Sequence, residues 1–239
     1  MEGWADNNGT RLHFLDNVQM AQSSLTPILI VPGFLLPAEI YSRDLVQLAP
    51  RRCVALSIRG RGRSDKPKTG YSYRDQLTDV GTVVDSLGLS RLFIAGYSTG
   101  AVFALGYAVS SPGKIAGVVV GDYPARYPKI QESWVQDVLS TKKGEIDENV
   151  AVSLQRDSDE VNLWDQLKSL ECPVLVLRGR AKGGFLTDER IELYKRSLRK
   201  MEVVDFESGH NLWDREHEKC LDSVKAFVDK FDGNSTASP

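Results

Sequence analysis

Cysteine is scarce in this chain of 239 residues, which contains three, at Cys53, Cys172 and Cys220. The odd number and the lack of a Cys-x-x-Cys pair argue against a disulfide framework, and buried thiols in a reducing cytosol are the simpler interpretation. The first residues, from Met1 to Asp6, show no basic region followed by an apolar one, as a secretion signal would. A cytoplasmic location is therefore expected.

Long apolar runs and an excess of one charge are also missing. No stretch approaches the roughly 20 apolar residues that span a bilayer, so no membrane partner is expected. The formal net charge is -2 and the pI is about 6.0, which gives no general attraction for nucleic acid or for an anionic surface. We expect a small-molecule substrate and either a monomer or a homodimer.

Histidine is as scarce as cysteine, with His13, His210 and His217. Only His210 and His217 have a useful spacing for a metal ligand pair, and no cysteine joins them. The glycines around residue 98 lack the Gly-Lys-Ser and Gly-x-Gly-x-x-Gly arrangements of phosphate-binding loops. Neither a metal site nor an organic cofactor is predicted.

Short apolar runs alternate with segments of helical spacing along the chain. Residues 10–15 alternate polar and apolar side chains and predict an edge strand. Continuous apolar runs predict strands that are buried on both faces, at 28–31, 53–58, 92–95, 115–120, 174–177 and 201–206. Helical spacing occurs in 72–87, 188–198 and 216–231. This alternation predicts an α/β fold with a mostly parallel, doubly wound sheet.

One segment interrupts that alternation. Residues 127–170 are rich in charge and carry Ile130, Trp134 and Val138 at helical spacing, which predicts a helical lid inserted over the sheet. The catalytic core is then expected at 1–126 and 171–232. The small, polar tail at 233–239 is expected to be disordered.

The most informative motif is Gly96-Tyr97-Ser98-Thr99-Gly100, which follows an apolar run and leads into a segment of small residues. A strand, a serine between glycines and a helix predict a nucleophile elbow. In such a turn the serine takes a strained backbone conformation, and the residues two positions away on either side must lack bulky side chains. Glycines at positions 96 and 100 meet that requirement.

Three features in this chain order resemble the α/β-hydrolase superfamily over about residues 10–230: Pro32-Gly33-Phe34 after an early strand, the elbow, and Gly209-His210 after the last strand. The resemblance implies a serine hydrolase of the small-lid type, with Ser98 as nucleophile and His210 as its base. It implies cleavage of a small carboxylic ester, thioester or lactone through an acyl-enzyme. Serine at position 98 argues against the branches of the superfamily that use a carboxylate nucleophile.

The acid of the implied triad is harder to assign. The family usually places an aspartate shortly after the strand at 174–177, but residues 179–184 read Gly-Arg-Ala-Lys-Gly-Gly. Asp122, at the end of the preceding strand, and Asp188 are the two candidates. Asp188 has an ordinary explanation at a helix N-terminus, where negative charge is favoured. We therefore favour Asp122 and keep Asp188 as the alternative.

Main-chain donors and a substrate pocket complete the implied site. The N–H groups of Phe34 and Thr99 are predicted to form the oxyanion hole. Pro32 stands where many relatives have histidine, which leaves main-chain donors intact. Phe34, Tyr97 and Trp134 are predicted to contact substrate; Trp164 and Leu154 are weaker candidates.

The basic run Arg59-Gly60-Arg61-Gly62-Arg63 is too short for RNA binding and has no interleaved aromatic residues. Together with Ser64 it resembles the Arg-Gly-x-Gly-x-Ser loop of the superfamily, with Ser57 in place of the usual preceding aspartate. We interpret it as a structural loop.

Other functions are open to the same fold. A carbon–carbon bond hydrolase or a peptidase would use a similar triad, because pocket shape selects the chemistry. A non-catalytic ligand-binding or signalling protein is the other alternative, and carboxylates of Asp122 and Asp188 both far from His210 would favour it.

Overall fold

The computed structural model describes residues 1–141 and 146–232. Within them one long sheet and one short ladder carry the fold. The strands are β1 (Glu2–Asn7), β2 (Thr10–Asp16), β3 (Ile28–Val31), β4 (Cys53–Leu56), β5 (Leu92–Tyr97), β6 (Ile115–Gly121), β7 (Arg126–Tyr127), β8 (Val161–Asn162), β9 (Val174–Gly179) and β10 (Met201–Phe206).

The long sheet has eight strands in the order β1-β2-β4-β3-β5-β6-β9-β10. The pairs β1/β2 and β2/β4 are antiparallel, and every pair from β4 to β10 is parallel. The apolar runs at 28–31 and 201–206 form strands with those same bounds. Continuous apolar runs were the right signal for the parallel strands inside the sheet, because these strands are buried on both faces. Strand β10, at the edge, is only partly buried.

Helices cover both faces of the sheet. They are α1 (Ser42–Gln47), α2 (Tyr73–Ser86), α3 (Gly100–Ser110), α4 (Glu132–Thr141), α5 (Glu148–Asp157), α6 (Asp188–Ser197), α7 (Leu212–Arg215) and α8 (His217–Asp232). Helices α2, α3 and α6 pack on one face, and α1, α7 and α8 on the other. Along β9, Val174 and Val176 face the first set, whereas Leu175 and Leu177 face the second. The predicted doubly wound α/β fold is confirmed.

The edge of the sheet differs from the prediction. Strand β2 is not at the edge, because β1 pairs outside it in a hairpin. The turn is Asn8-Gly9, with φ values of 52° and 86°, as in a two-residue turn with positive φ at both positions. The polar sequence of β1 gave no strand signal, but Asn-Gly before an alternating run is a strong hairpin signal that would have located it.

The segment predicted to be a lid, 127–170, contains α4 and α5. Its ends are tied by the antiparallel ladder of β7 and β8, two strands that the charge-rich sequence did not predict. Its function as a lid remains a prediction, and the tail at 233–239 lies outside the described residues. In the part of the chain that the structure describes, no helix combines the length and the apolar character needed to cross a membrane.

Candidate active site

Ser98 lies in a tight turn between β5 and α3. Its φ is 54°, in the left-handed region that residues other than glycine rarely adopt. A Cβ at Gly96 would lie 2.3 Å from the carbonyl oxygen of Gly100, and a Cβ at Gly100 would lie 2.1 Å from that of Val31. The turn therefore requires both glycines, and it projects the Ser98 hydroxyl out of the carboxyl edge of the sheet.

His210 contacts two of the predicted site residues. Its Nε2 is 3.0 Å from the Ser98 Oγ, and its Nδ1 is 3.0 Å from the Asp122 Oδ2. The imidazole stacks on the Tyr97 ring, with 5.3 Å between centroids and 10° between planes, and meets the Phe185 ring edge-on at 4.3 Å. Two aromatic rings therefore restrict its orientation, and a hydroxyl, an imidazole and a carboxylate stand in hydrogen-bonding sequence.

Asp122 is fully buried directly after β6 and has a φ of 45°. Its Oδ1 accepts hydrogen bonds from the N–H groups of Gly179 (3.1 Å) and Leu186 (3.3 Å). Its Oδ2 accepts one from Phe185 N–H at 2.9 Å and faces His210. A buried carboxylate needs such donors to offset the loss of water. The arrangement holds Asp122 in place to orient the imidazole.

Asp188 has a different environment. It begins α6, its side chain is 79% exposed, and its Oδ1 accepts a hydrogen bond from Arg178 Nη2 at 2.6 Å. The Arg178 guanidinium holds the pKa of this carboxyl below its ordinary value. The structure thus brings Asp122, and not Asp188, to His210.

The glycines at 179–184 replace the expected acid with amide donors. A Cβ at Gly184 would lie 2.1 Å from the Gly179 carbonyl oxygen, and a Cβ at Gly179 would lie 2.2 Å from that of Gly209. Backbone therefore packs on backbone between this loop and the one carrying His210. That approach lets the loop's N–H groups reach Asp122, a role that the sequence analysis missed although the run of glycines was its signal.

Replacing Gly184 by alanine should therefore damage both folding and the site. The new methyl group must displace the Gly179 carbonyl, and overpacking of this kind costs about 1–3 kcal/mol of unfolding free energy. Denaturant unfolding and ester turnover should both decline. Gly113→Ala is the matched control, because no atom lies within 4 Å of its Cβ position; equal behaviour of the two variants would contradict the packing argument.

Two main-chain donors adjoin Ser98. A Cβ on Gly33, the residue before Phe34, would lie 3.2 Å from the Ser98 Cβ, which shows how closely this loop approaches the elbow. In the described parts of the chain, neither the Phe34 N–H nor the Thr99 N–H donates a hydrogen bond to another residue. Unpaired amides beside a nucleophile are what an oxyanion hole requires.

A cavity of about 470 Å³ opens over Ser98. The Phe34 and Trp134 rings meet edge to face in its wall, at 5.0 Å between centroids. Its one lysine, Lys129, directs Nζ to the carbonyl oxygens of Gln155, Arg156 and Ser158, at 3.2, 3.3 and 2.5 Å. The lining residues come from the core and from α4 with its preceding loop: Phe34, Ser98, Thr99, Tyr123, Pro128, Lys129, Ile130, Gln131, Ser133, Trp134, Asp137 and Phe185.

Three residues expected at the pocket lie elsewhere. Tyr97 is not part of the cavity lining; its ring stacks behind His210 and its hydroxyl donates to the His210 carbonyl. Burial raises the pKa of this phenol, which keeps it a donor. Trp164 packs edge to face on Tyr194 at 4.7 Å, and Leu154 is fully buried. Strand and helix packing, which sequence spacing does not reveal, turns them away from the cavity.

The other histidines are not at this site. His13 is fully buried in β2, with ring nitrogens 3.5 Å from carboxylates of Glu2 and Glu39. The side chain of His217, at the start of α8, is 17% exposed, and its Nε2 lies 3.0 Å from the Asp44 Oδ1. Burial raises the pKa of Asp44. Among the described residues, no group of three or more His, Cys, Asp or Glu is arranged to hold a metal ion.

Comparisons with known proteins identify the family of the chain. The model of a family described as alpha/beta hydrolase fold matches residues 26–148. AB hydrolase superfamily protein YisY of Bacillus subtilis is 24% identical over 84% of this chain and 91% of its own length. A 2-(acetamidomethylene)succinate hydrolase of Mesorhizobium japonicum is 26% identical over 66% of this chain and 54% of its own length.

Solved structures share the whole fold. The enol-lactonase from Burkholderia xenovorans superposes with a TM-score of 0.82 at 17% identity, covering 95% of this chain and 100% of that protein. The esterase RhEst1 from a Rhodococcus species superposes with a TM-score of 0.80 at 18% identity, covering 97% and 98%. At these identities the likeness concerns the fold alone.

Proposed function

Because the chain belongs to the α/β-hydrolase fold family, we propose that it is a serine hydrolase that cleaves a small carboxylic ester, thioester or lactone. The observation that carries the proposal is the series of contacts from Ser98 through His210 to Asp122, each 3.0 Å long. A serine hydroxyl needs a base within such a distance, and the base needs a partner that fixes its orientation.

The proposed reaction has two stages. His210 Nε2 takes the proton of Ser98 as its Oγ attacks the carbonyl carbon, and the Phe34 and Thr99 N–H groups stabilise the resulting oxyanion. The imidazolium, oriented by Asp122, then gives the proton to the leaving oxygen or sulfur, which leaves an acyl group on Ser98. Water, activated by His210, releases the acid in the second stage.

A non-catalytic protein of this fold has no need of such a series. Carboxylates of Asp122 and Asp188 both far from His210 would favour that alternative. Asp122 instead lies within hydrogen-bonding distance of His210. The unpaired Phe34 and Thr99 amides are likewise of use to a reaction and of little use to a receptor. Both features support the enzymatic proposal.

The lining of the cavity favours a neutral acyl group. The cationic Lys129 is occupied by three carbonyl oxygens at the end of α5, and Asp137 adds a negative charge to the same wall. A substrate carboxylate would lose water there without gaining an available cation, which is costly.

Two esters of matched length test the proposal. With p-nitrophenyl butyrate we expect a burst of about one nitrophenolate per enzyme, as an acyl-enzyme accumulates. With p-nitrophenyl hemisuccinate, which adds a carboxylate, we expect kcat/KM to fall about tenfold or more. Stopped-flow absorbance measures both. Lack of any turnover that depends on Ser98 would contradict the hydrolase proposal, and preference for the hemisuccinate would contradict the neutral pocket.

A further inference from the structure

The loop that follows β4 carries two buried arginines with different surroundings. Arg59 donates from Nε and Nη2 to the Asp79 carboxylate, at 2.8 and 2.6 Å. Arg61 is 3% exposed, and among the described residues no carboxylate forms an ion pair with it. A buried guanidinium that stays charged without a carboxylate is costly, so its retention calls for a specific role.

The hydrogen bonds of Arg61 point to that role. Its Nε donates to the Phe34 carbonyl and its Nη1 to the Arg59 carbonyl, each at 2.7 Å. Its guanidinium carbon also lies 5.5 Å from the centroid of the Phe34 ring, in cation–π range. Phe34 is therefore held through its backbone and its ring by one side chain, and its own N–H is one of the two amides beside Ser98.

The space between Arg61 and the elbow is dry. Arg61, Gly33, Phe34 and Thr99 line one narrow cavity that does not admit a water molecule. The Thr99 hydroxyl is buried and has no hydrogen-bond partner among the described residues. Without intervening water, the positive charge of Arg61 is weakly screened at the two amides.

We propose that Arg61 is a positioning residue for the oxyanion hole, which fixes Phe34 and places an unpaired positive charge behind the Phe34 and Thr99 amides. Negative charge that develops on the substrate oxygen in the transition state is then stabilised by the oriented Phe34 and Thr99 amides and by the nearby Arg61 guanidinium. The inference rests on the proposed function. It assigns to the second arginine of the Arg-Gly loop a role beyond the structural one that the sequence predicts.

Arg61→Met and Arg61→Lys test this inference, with Arg63→Met as the matched control. Arg63 belongs to the same loop but is 52% exposed and pairs with Glu2. In wild type and each variant we would measure kcat and KM for p-nitrophenyl butyrate, thermal unfolding, and inhibition by an arylboronic acid, which forms a tetrahedral anion on serine.

For Arg61→Met we expect kcat to fall about tenfold or more, less than the 10²–10³-fold cost of deleting an oxyanion donor itself. Boronate affinity should weaken by a similar factor, while KM stays within about threefold, because the charge acts only on the tetrahedral anion. Arg61→Lys keeps the charge but loses the planar fork, so its kcat should fall about threefold or more. Arg63→Met should match wild type.

Unchanged kcat and boronate affinity in folded Arg61 variants would overturn the inference. So would a loss that follows thermal stability alone, with boronate affinity unaffected. If Arg61→Met does not fold, Arg61→Lys decides: kcat and boronate affinity equal to those of wild type in the folded Arg61→Lys variant overturn the inference. Failure of the proposed function can be distinguished from failure of this inference, because in the former case the wild-type protein would show no turnover that depends on Ser98.

Discussion

Replacing Ser98 by alanine should lower kcat for p-nitrophenyl butyrate by about 10⁵-fold or more while the protein remains folded. Alanine removes the Oγ that lies 3.0 Å from His210 Nε2, and with it the oxygen that is proposed to form the acyl-enzyme. The fold should tolerate the change, since the turn depends on Gly96 and Gly100 for its close approaches and the side chain loses a single oxygen.

Labelling provides a second measurement on the same variant. A fluorophosphonate probe should add to wild-type protein at Ser98 and leave Ser98→Ala unlabelled, as read by intact mass and peptide mapping. Ser90→Ala is the control, since Ser90 is exposed ahead of β5, and it should match wild type in both assays. Unlabelled wild-type protein, or equal labelling of the Ser98 variant, would rule out Ser98 as nucleophile.

Asp122→Asn should lower kcat by about 10⁴-fold, whereas Asp188→Asn should change it by less than about threefold. The amide keeps the shape of the carboxylate but removes the charge that stabilises the imidazolium. Its NH₂ group must face either the Gly179 and Leu186 N–H donors or the Phe185 N–H and His210 Nδ1. The Asp188 carboxylate is 79% exposed and pairs with Arg178 at 2.6 Å and Arg180 at 3.9 Å, and pairs of a solvent-exposed carboxylate contribute about 0–1 kcal/mol.

Steady-state kinetics on both variants, with thermal unfolding as a folding check, separates the two carboxylates. A large loss in Asp188→Asn with Asp122→Asn near wild type would reverse the assignment. Large losses in both would mean that Arg178 and the loop after β9 transmit the effect of Asp188 to the site. The expected pattern is one inactive variant and one active variant, both folded.

Much of the fold was predictable because its signals are local. The parallel strands inside the sheet are buried on both faces, so their sequences carry continuous apolar runs, and β3 begins and ends where its run does. The edge strand β10 has the predicted bounds although it is only partly buried. The hairpin of β1 and β2 was not predicted, because the sequence of β1 is polar and the turn at Asn8-Gly9 is its main signal. The short ladder of β7 and β8 was not predicted, because strands of two residues are too short to show an alternation of polar and apolar side chains.

In the candidate site, too, the residues with a local sequence signal were predictable and the residues placed by distant contacts were not. Ser98 could be singled out because the strand, the glycines and the helix around it are neighbours in sequence. Tyr97, one position away, could not be placed, because the stacking that keeps it behind His210 joins residues far apart in the chain. The surroundings of Arg61 likewise depend on loops after two different strands.

The sequence by itself determined the α/β class, the elbow at Ser98 and the two aspartates from which an acid could come. Only the tertiary structure decided between those aspartates. Strands β6 and β9 are adjacent, with Gly121 opposite Leu177, so Asp122 emerges beside the glycine loop that follows β9. Amide donors from that loop and the imidazole of His210 contact the Asp122 carboxylate. These groups come from three separate segments of the chain, so the sequence of no single segment shows that they meet.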